Sequence, residues 1–196
     1  MNKSILKVPT NFSTKRLTIR IPKSGDEIVM YNAIYHSIAE LKPWIKSLQQ
    51  IPTKETIETL IINYNIQFLK RSTLPYSIFS KLTGEFIGFI IFHEINWDIL
   101  KFEVGYWINS KFSKKGYMTE GVRRLIKFAF EELKANRVEI RCDATNIQSH
   151  AIPKKLHFKL EGILEMNELN AYKKELCDTY IFAMTKPHYY LNLEKG

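Results

Sequence analysis

Residues 102–142 of this 196-residue chain change hydrophobic period twice, and that change constrains the fold more than any other feature. Phe102, Val104, Tyr106 and Ile108 alternate with Glu103, Gly105 and Trp107, the two-residue repeat of a strand. After Gly116, the residues Met118, Val122, Leu125, Ile126, Ala129, Phe130 and Leu133 recur every three or four positions, which predicts a long helix with one buried face. Val138 to Cys142 returns to strand character. A strand, a helix and a strand at this spacing demand a parallel crossover. Just upstream, Tyr76–Ser80, a turn at Thr83-Gly84 and Phe86–Phe92 predict an antiparallel hairpin, so the sheet must be mixed.

The remaining elements complete an α/β (α+β) arrangement. Arg16–Ile21 reads as a strand stopped by Pro22 and Gly25. Ser24 or Asp26 caps a helix over about 26–40, a turn follows at Pro43-Trp44, and Thr53 starts a helix that runs to about residue 71. A short helix over 148–157 and strands over 158–169 and 178–185 finish the chain, giving a mostly antiparallel sheet of seven strands with about four helices. No repeat or linker interrupts residues 1–196, so one domain is expected, with residues 1–12 as a loose leader. Cys142 and Cys177 stand far apart without metal-ligand spacing, which fits a reducing cytoplasm, and Cys142 on its strand reads as a small hydrophobe. No apolar stretch is long enough for a signal peptide or a membrane span. His36, His93, His150, His157 and His188 form no metal-binding pattern, and no nucleophile elbow or Walker loop is present, so no metal is expected. Trp44 and Trp97 lie in loop-like stretches and serve packing or line a mouth.

The formal charge of +9 first suggests a polyanionic partner. Its distribution narrows that reading. Residues 111–127 hold Lys111, Lys114, Lys115, Arg123, Arg124 and Lys127 against Glu120 alone. This window follows a strand and opens a helix, where converging backbone amides and the helix dipole suit a phosphate, and Gly116 permits close approach. A solvated basic loop is the competing reading.

Glu-Val-Gly-Tyr-Trp-Ile, Gly-Tyr-Met-Thr-Glu-Gly-Val, Phe-Ala-Phe-Glu-Glu-Leu, Asn-Arg-Val-Glu-Ile-Arg-Cys and the run Asn146 to Phe158 resemble, in order and spacing over about residues 15–186, the GNAT superfamily of acetyl-CoA-dependent N-acetyltransferases. More narrowly they resemble the branch that acetylates ribosomal-protein N-termini. Ser113 departs from the usual Gln or Arg, and His157 from the usual Gly.

The resemblance implies a sheet splayed after the fourth strand, here about 102–108, with pantetheine lying in the gap like an added strand. It implies that Trp107 and Ile108 offer main-chain groups to pantetheine and that Ser113, Lys114, Lys115, Gly116, Tyr117, Met118 and Thr119 wrap the pyrophosphate. Asn146 then reaches the cofactor, and Lys154 or Lys155 meets the ribose phosphate. Glu168, nineteen residues after Ser149, is the preferred base, with Glu103 second. Ser149 is the acid for the departing sulfur, against a plain helix-cap role, and Tyr172 is an outside alternative. An α-amine of pKa about 8 is roughly one-tenth neutral at pH 7, against about one lysine in 2,500, so an α-amino acceptor asks less of the base. The expected acceptor is a ribosomal-protein N-terminus. A small amine (polyamine, amino sugar or drug) is the alternative, and a non-catalytic CoA-binding module the reading of another class. No membrane and no direct nucleic-acid role are expected, and a homodimer is compatible with the chain.

Overall fold

A computed structural model describes residues 7–194. The elements are β1 (Asn11–Ser13), β2 (Leu17–Arg20), α1 (Asp26–His36), α2 (Ile38–Leu41), α3 (Lys54–Lys70), β3 (Leu74–Ser80), β4 (Phe86–Asn96), β5 (Lys101–Ile108), α4 (Tyr117–Glu131), β6 (Arg137–Asp143), α5 (Ile147–Lys155), β7 (Lys159–Leu169), β8 (Leu176–Thr185) and α6 (Lys186–Leu193). One mixed sheet has the order β1-β2-β3-β4-β5-β6-β8-β7. Its single parallel pair among the described residues is β5–β6, joined by the crossover through α4 that the change of period requires.

Among the described residues the expected seven strands become eight, and about four helices become six α-helices. The extra strand, β1, overlaps the end of the segment expected to be a loose leader. Residues 1–6 lie outside the described residues, but Val8 and Phe12 are buried. Phe12 packs on Phe128 at 4.9 Å and on Tyr76 at 5.1 Å, covering a second face of α4 that the single-face pattern did not include. The first helix also differs. Neither Ser24 nor Asp26 caps it: Gly25 is the N-cap residue, and the buried Asp26 carboxylate is held by Arg20 at 2.7 Å through both guanidinium nitrogens. Thr53 does cap α3, its hydroxyl accepting from the Thr56 amide at 3.2 Å.

Helices cover both faces of the sheet. Met30, Ala33 and Ile34 of α1 with Ile57 and Ile61 of α3 bury Phe86 and Phe89 of β4, while α4 buries Met118, Val122, Leu125, Ile126 and Ala129 against the opposite face. Phe86 and Phe89 share a face despite an odd spacing because Ile87 is an inserted residue: Phe86 pairs with Phe79, and Gly88 with Ile78.

The turn after α5 ends in two bonds, from Phe158 N–H to Pro153 O (2.9 Å) and from His157 N–H to Lys154 O (3.1 Å). His157 therefore takes φ 60°, a left-handed conformation that costs a side-chain-bearing residue about 1 kcal/mol. His157→Gly should raise the melting temperature by about 2–4 °C in a thermal denaturation scan, with unchanged secondary structure by circular dichroism.

Candidate active site

The sheet opens where the crossover leaves it. β5 and β6 are in register only at Lys101–Arg137, Phe102–Val138 and Glu103–Glu139, while β4 follows β5 out to Ile108. Beyond Glu103, one edge of β5 therefore faces a gap bounded by β6 and α5. The Asn109 amide donates to Ile87 O at 2.8 Å, and a Cβ on Gly88 would stand 2.4 Å from Trp107 O. Trp107 thus turns its carbonyl to β4, and the alternation of an antiparallel ladder directs the main-chain groups of Tyr106 and Ile108 into the gap. Ile108 therefore keeps its main chain toward the gap, where the expected pantetheine contact would lie. For Trp107 the structure differs from that expectation: its main chain is directed to β4, and its ring packs on Phe86 at 5.6 Å.

At the far end of the gap, Ser110–Phe112 form a 3-10 turn, and Gly116 at φ 77° begins α4. The first bond of α4 runs from Glu120 N–H to Gly116 O at 3.0 Å, so the amides before Glu120 are the unpaired donors of a helix start. The Ser113 amide is not among them, because it donates to Ser110 O at 3.0 Å. The cradle consequently runs from Lys114 to Thr119. Arg16 secures it from outside, donating to Lys115 O at 3.0 Å, stacking on the Tyr117 ring and pairing with Glu120 at 2.6 Å. Much of the basic window is committed elsewhere: Lys111 pairs with Glu85, Arg124 with Glu132 and Lys127 with Glu131. Lys114 and Lys115 are the cations on the cradle itself.

Asn146 is the N-cap of α5, its side-chain oxygen accepting from the Ser149 amide at 3.0 Å, so a cofactor contact from it would come from Nδ2. Ser149 is consequently not the cap. Its Oγ lies 3.4 Å from the Tyr106 hydroxyl, and its carbonyl accepts from that hydroxyl at 3.0 Å. Lys154 and Lys155 are exposed in the last turn of α5.

Both candidate bases open on one cavity of about 460 Å³ at the apex of the splay, with Trp44, Lys46, His93, Glu94 and Arg141 also in its wall. Glu103 projects from β5 with 13% of its side chain exposed, 3.5 Å from Arg141 and 3.9 Å from His93. Burial pushes its carboxyl up to about 7; Arg141 and Lys101 oppose the rise, and Glu139 and Glu94 add to it. Burial also lowers the His93 imidazole, keeping it neutral at pH 7. A second cavity of about 660 Å³ shares Glu103, His93, Glu94 and Arg141, so Glu103 stands in the wall between two water-accessible spaces. Glu168 lies at the half-exposed end of β7 and accepts from Lys46 at 2.7 Å. Tyr172 is exposed beneath Lys42, in the turn after β7.

Cys142 also lines the first cavity rather than serving only as core, and burial raises its thiol to about 11. Trp97 is buried and donates to Arg71 O at 2.8 Å, whereas Trp44 borders the cavity. Tyr106, Arg141, Lys46 and Arg16 carry no local signal of the site, and His93 reads from the sequence as a lone core or surface histidine. Tyr106 was hidden among the apolar positions of an alternating strand, and the others reach the site only through pairings between distant segments.

These observations meet the requirements of a nucleotide thioester: a free strand edge, a helix start carrying amides and cations, and carboxylates at the apex. The family model described as an acetyltransferase (GNAT) domain matches residues 16–159. The chain is 30% identical over 149 residues to "Putative ribosomal N-acetyltransferase YdaF" of Bacillus subtilis (strain 168), covering 76% of this chain and 80% of that protein. It is 24% identical over 143 residues to the ribosomal-protein-serine acetyltransferase of Escherichia coli (strain K12), covering 69% and 76%. Among solved structures, RimL, a ribosomal L7/L12 alpha-N-protein acetyltransferase in complex with coenzyme A, superposes with a TM-score of 0.82 at 19% identity, covering 92% of this chain and 98% of RimL. The chain belongs to the GNAT acetyltransferase family and is an acetyl-CoA-dependent N-acetyltransferase.

Proposed function

We propose that this single N-acetyltransferase domain, residues 1–196, transfers acetyl to the N-terminal α-amine of a protein, a ribosomal protein in the cytoplasm being the acceptor that its named relatives suggest. The observation that carries the reading is the shared cavity of Glu103 and Glu168 at the apex of the splay. Its volume admits one terminal residue of a peptide. Pantetheine lies along Tyr106–Ile108 as an added strand, with its pyrophosphate on the amides of Lys114–Thr119. Asn146 Nδ2 and Lys155 supply further contacts to the nucleotide.

The acceptor enters as an ammonium past Glu168, whose carboxylate holds the cation. Glu103, with a pKa near the working pH, takes the proton through water. The free amine attacks the thioester carbonyl carbon, the C–N bond forms, and collapse of the tetrahedral intermediate breaks the C–S bond. Ser149 hands its hydroxyl proton to the departing sulfur and regains one through water from the attacking nitrogen, which sheds its extra proton as the amide forms. The proton on Glu103 leaves through the second cavity. This assigns the base to Glu103 rather than to the solvated, Lys46-paired Glu168, because a carboxyl held near 7 is matched to proton removal at the working pH.

Acetyl-CoA-dependent thiol release, measured with peptides of defined N-terminus, N-terminally blocked lysine peptides, polyamines and amino sugars, should show turnover with free α-amines and little with blocked peptides. Turnover confined to polyamines or amino sugars would replace this acceptor class, and tight acetyl-CoA binding without turnover would mark a binding module. Wild-type kcat/KM should rise with pH to a midpoint near 7. Glu103→Gln should lower it about 10²–10⁴-fold and abolish that limb, while Glu168→Gln should chiefly raise the KM for the amine. The opposite pattern would move the base to Glu168. Because the folded-state pKa of Glu103 lies above its ordinary 4.5, its stabilising contribution is full below about 4.5 and lost as pH rises through about 7. Glu103→Gln should therefore gain on wild type in melting temperature between pH 5 and 8. Gly116→Ala, forced to φ 77°, should raise the KM for acetyl-CoA about fivefold with kcat nearly unchanged.

A further inference from the structure

Pro153 lies inside α5 and has no amide hydrogen. In an uninterrupted helix, the amide at position 153 would donate to the carbonyl four residues earlier, which is that of Ser149. The Tyr106 hydroxyl fills this vacancy: it donates to Ser149 O at 3.0 Å from the strand on the other side of the splay. The same hydroxyl lies 3.4 Å from Ser149 Oγ. Tyr106 is largely buried, and burial raises its pKa, so it stays protonated and able to donate.

We propose that Tyr106 is a positioning residue: its hydroxyl replaces the helix amide that Pro153 removes, ties α5 to β5 across the gap, and thereby sets Ser149 where the thioester sulfur will lie. The catalytic half of the proposal rests on Ser149 acting as proton donor. The structural half does not. A proline in mid-helix normally weakens the helix; here it frees a carbonyl at the residue that must be aimed, and a side chain from the opposite wall takes that carbonyl up. The width of the cofactor slot and the placement of Ser149 then depend on one hydroxyl.

Two double-variant cycles test the proposal. In the first, melting temperatures are measured for wild type, Tyr106→Phe, Pro153→Ala and the double variant. Tyr106→Phe leaves the Ser149 carbonyl without its donor and should melt about 2–6 °C lower. Pro153→Ala restores an amide at that carbonyl, so it should recover more stability in the Tyr106→Phe background than in wild type; additive effects would overturn the tie. In the second, initial rates are measured with saturating acetyl-CoA and the best amine of the acceptor panel. Tyr106→Phe and Ser149→Ala should each lower kcat about tenfold, and the double variant should be no slower than Ser149→Ala alone. Multiplying losses would mean that Tyr106 acts independently of Ser149 and would overturn the positioning role. If wild type turns over no amine, the acceptor reading fails, while the melting cycle still decides the tie.

Discussion

The structure depends on the parting of β5 and β6 after Glu103. A sheet normally saturates its main-chain donors and acceptors on both sides of every inner strand, and an inner strand with a bare edge is costly unless something else pairs with it. Here three residues of parallel register hold the two strands together at one end, and no pairing joins them beyond Glu103. In the proposed function the bare edge of β5 is the surface for an extended, amide-bearing cosubstrate, and the start of α4 supplies donors for its phosphates. The acid chemistry collects at the closed end because Glu103 sits on the last paired residue.

That geometry also explains why the site is electrostatically uneven. At the phosphate end, many of the cations close to the cradle are neutralised by glutamates outside the basic window, and Arg16 is engaged with Glu120 and the loop carbonyl. The start of α4 therefore offers oriented amides with two adjacent lysines rather than a broad positive field. At the apex, Glu103 and Glu139 face each other across the last register of the splay, and Arg141 bridges them. Glu139 is held as a carboxylate by Arg137, Arg141 and Lys101, outweighing its burial, while Glu103, with more distant partners, is left near neutrality of charge. Two facing acids are thus shifted in opposite directions by their surroundings.

Periodicity made the central elements legible. The crossover, the meander and the buried face of α4 follow from residue spacing alone, because a strand and a one-faced helix leave different repeats in the chain. Element ends and the N-terminal segment were harder. Phe12 has no periodic neighbours to declare it, yet it closes the second face of α4, and the inserted Ile87 shifts which side of β4 faces the helices without altering the composition of the strand.

By itself, the sequence determined the order of the central elements, the mixed sheet and the basic, glycine-bearing junction that opens α4, since each depends on local spacing or on a stretch of contiguous residues; the two candidate carboxylates followed from the resemblance. Only the tertiary structure decided which groups work together. It turned the main chain of Trp107 away from the gap, spent the Ser113 amide on a turn, gave Asn146 rather than Ser149 the capping role, and set the Tyr106 hydroxyl on the carbonyl that Pro153 leaves open. The physical reason is that hydrogen-bond direction, burial and charge pairing arise between segments far apart in the chain, where residue type specifies what a group can do and packing specifies what it meets.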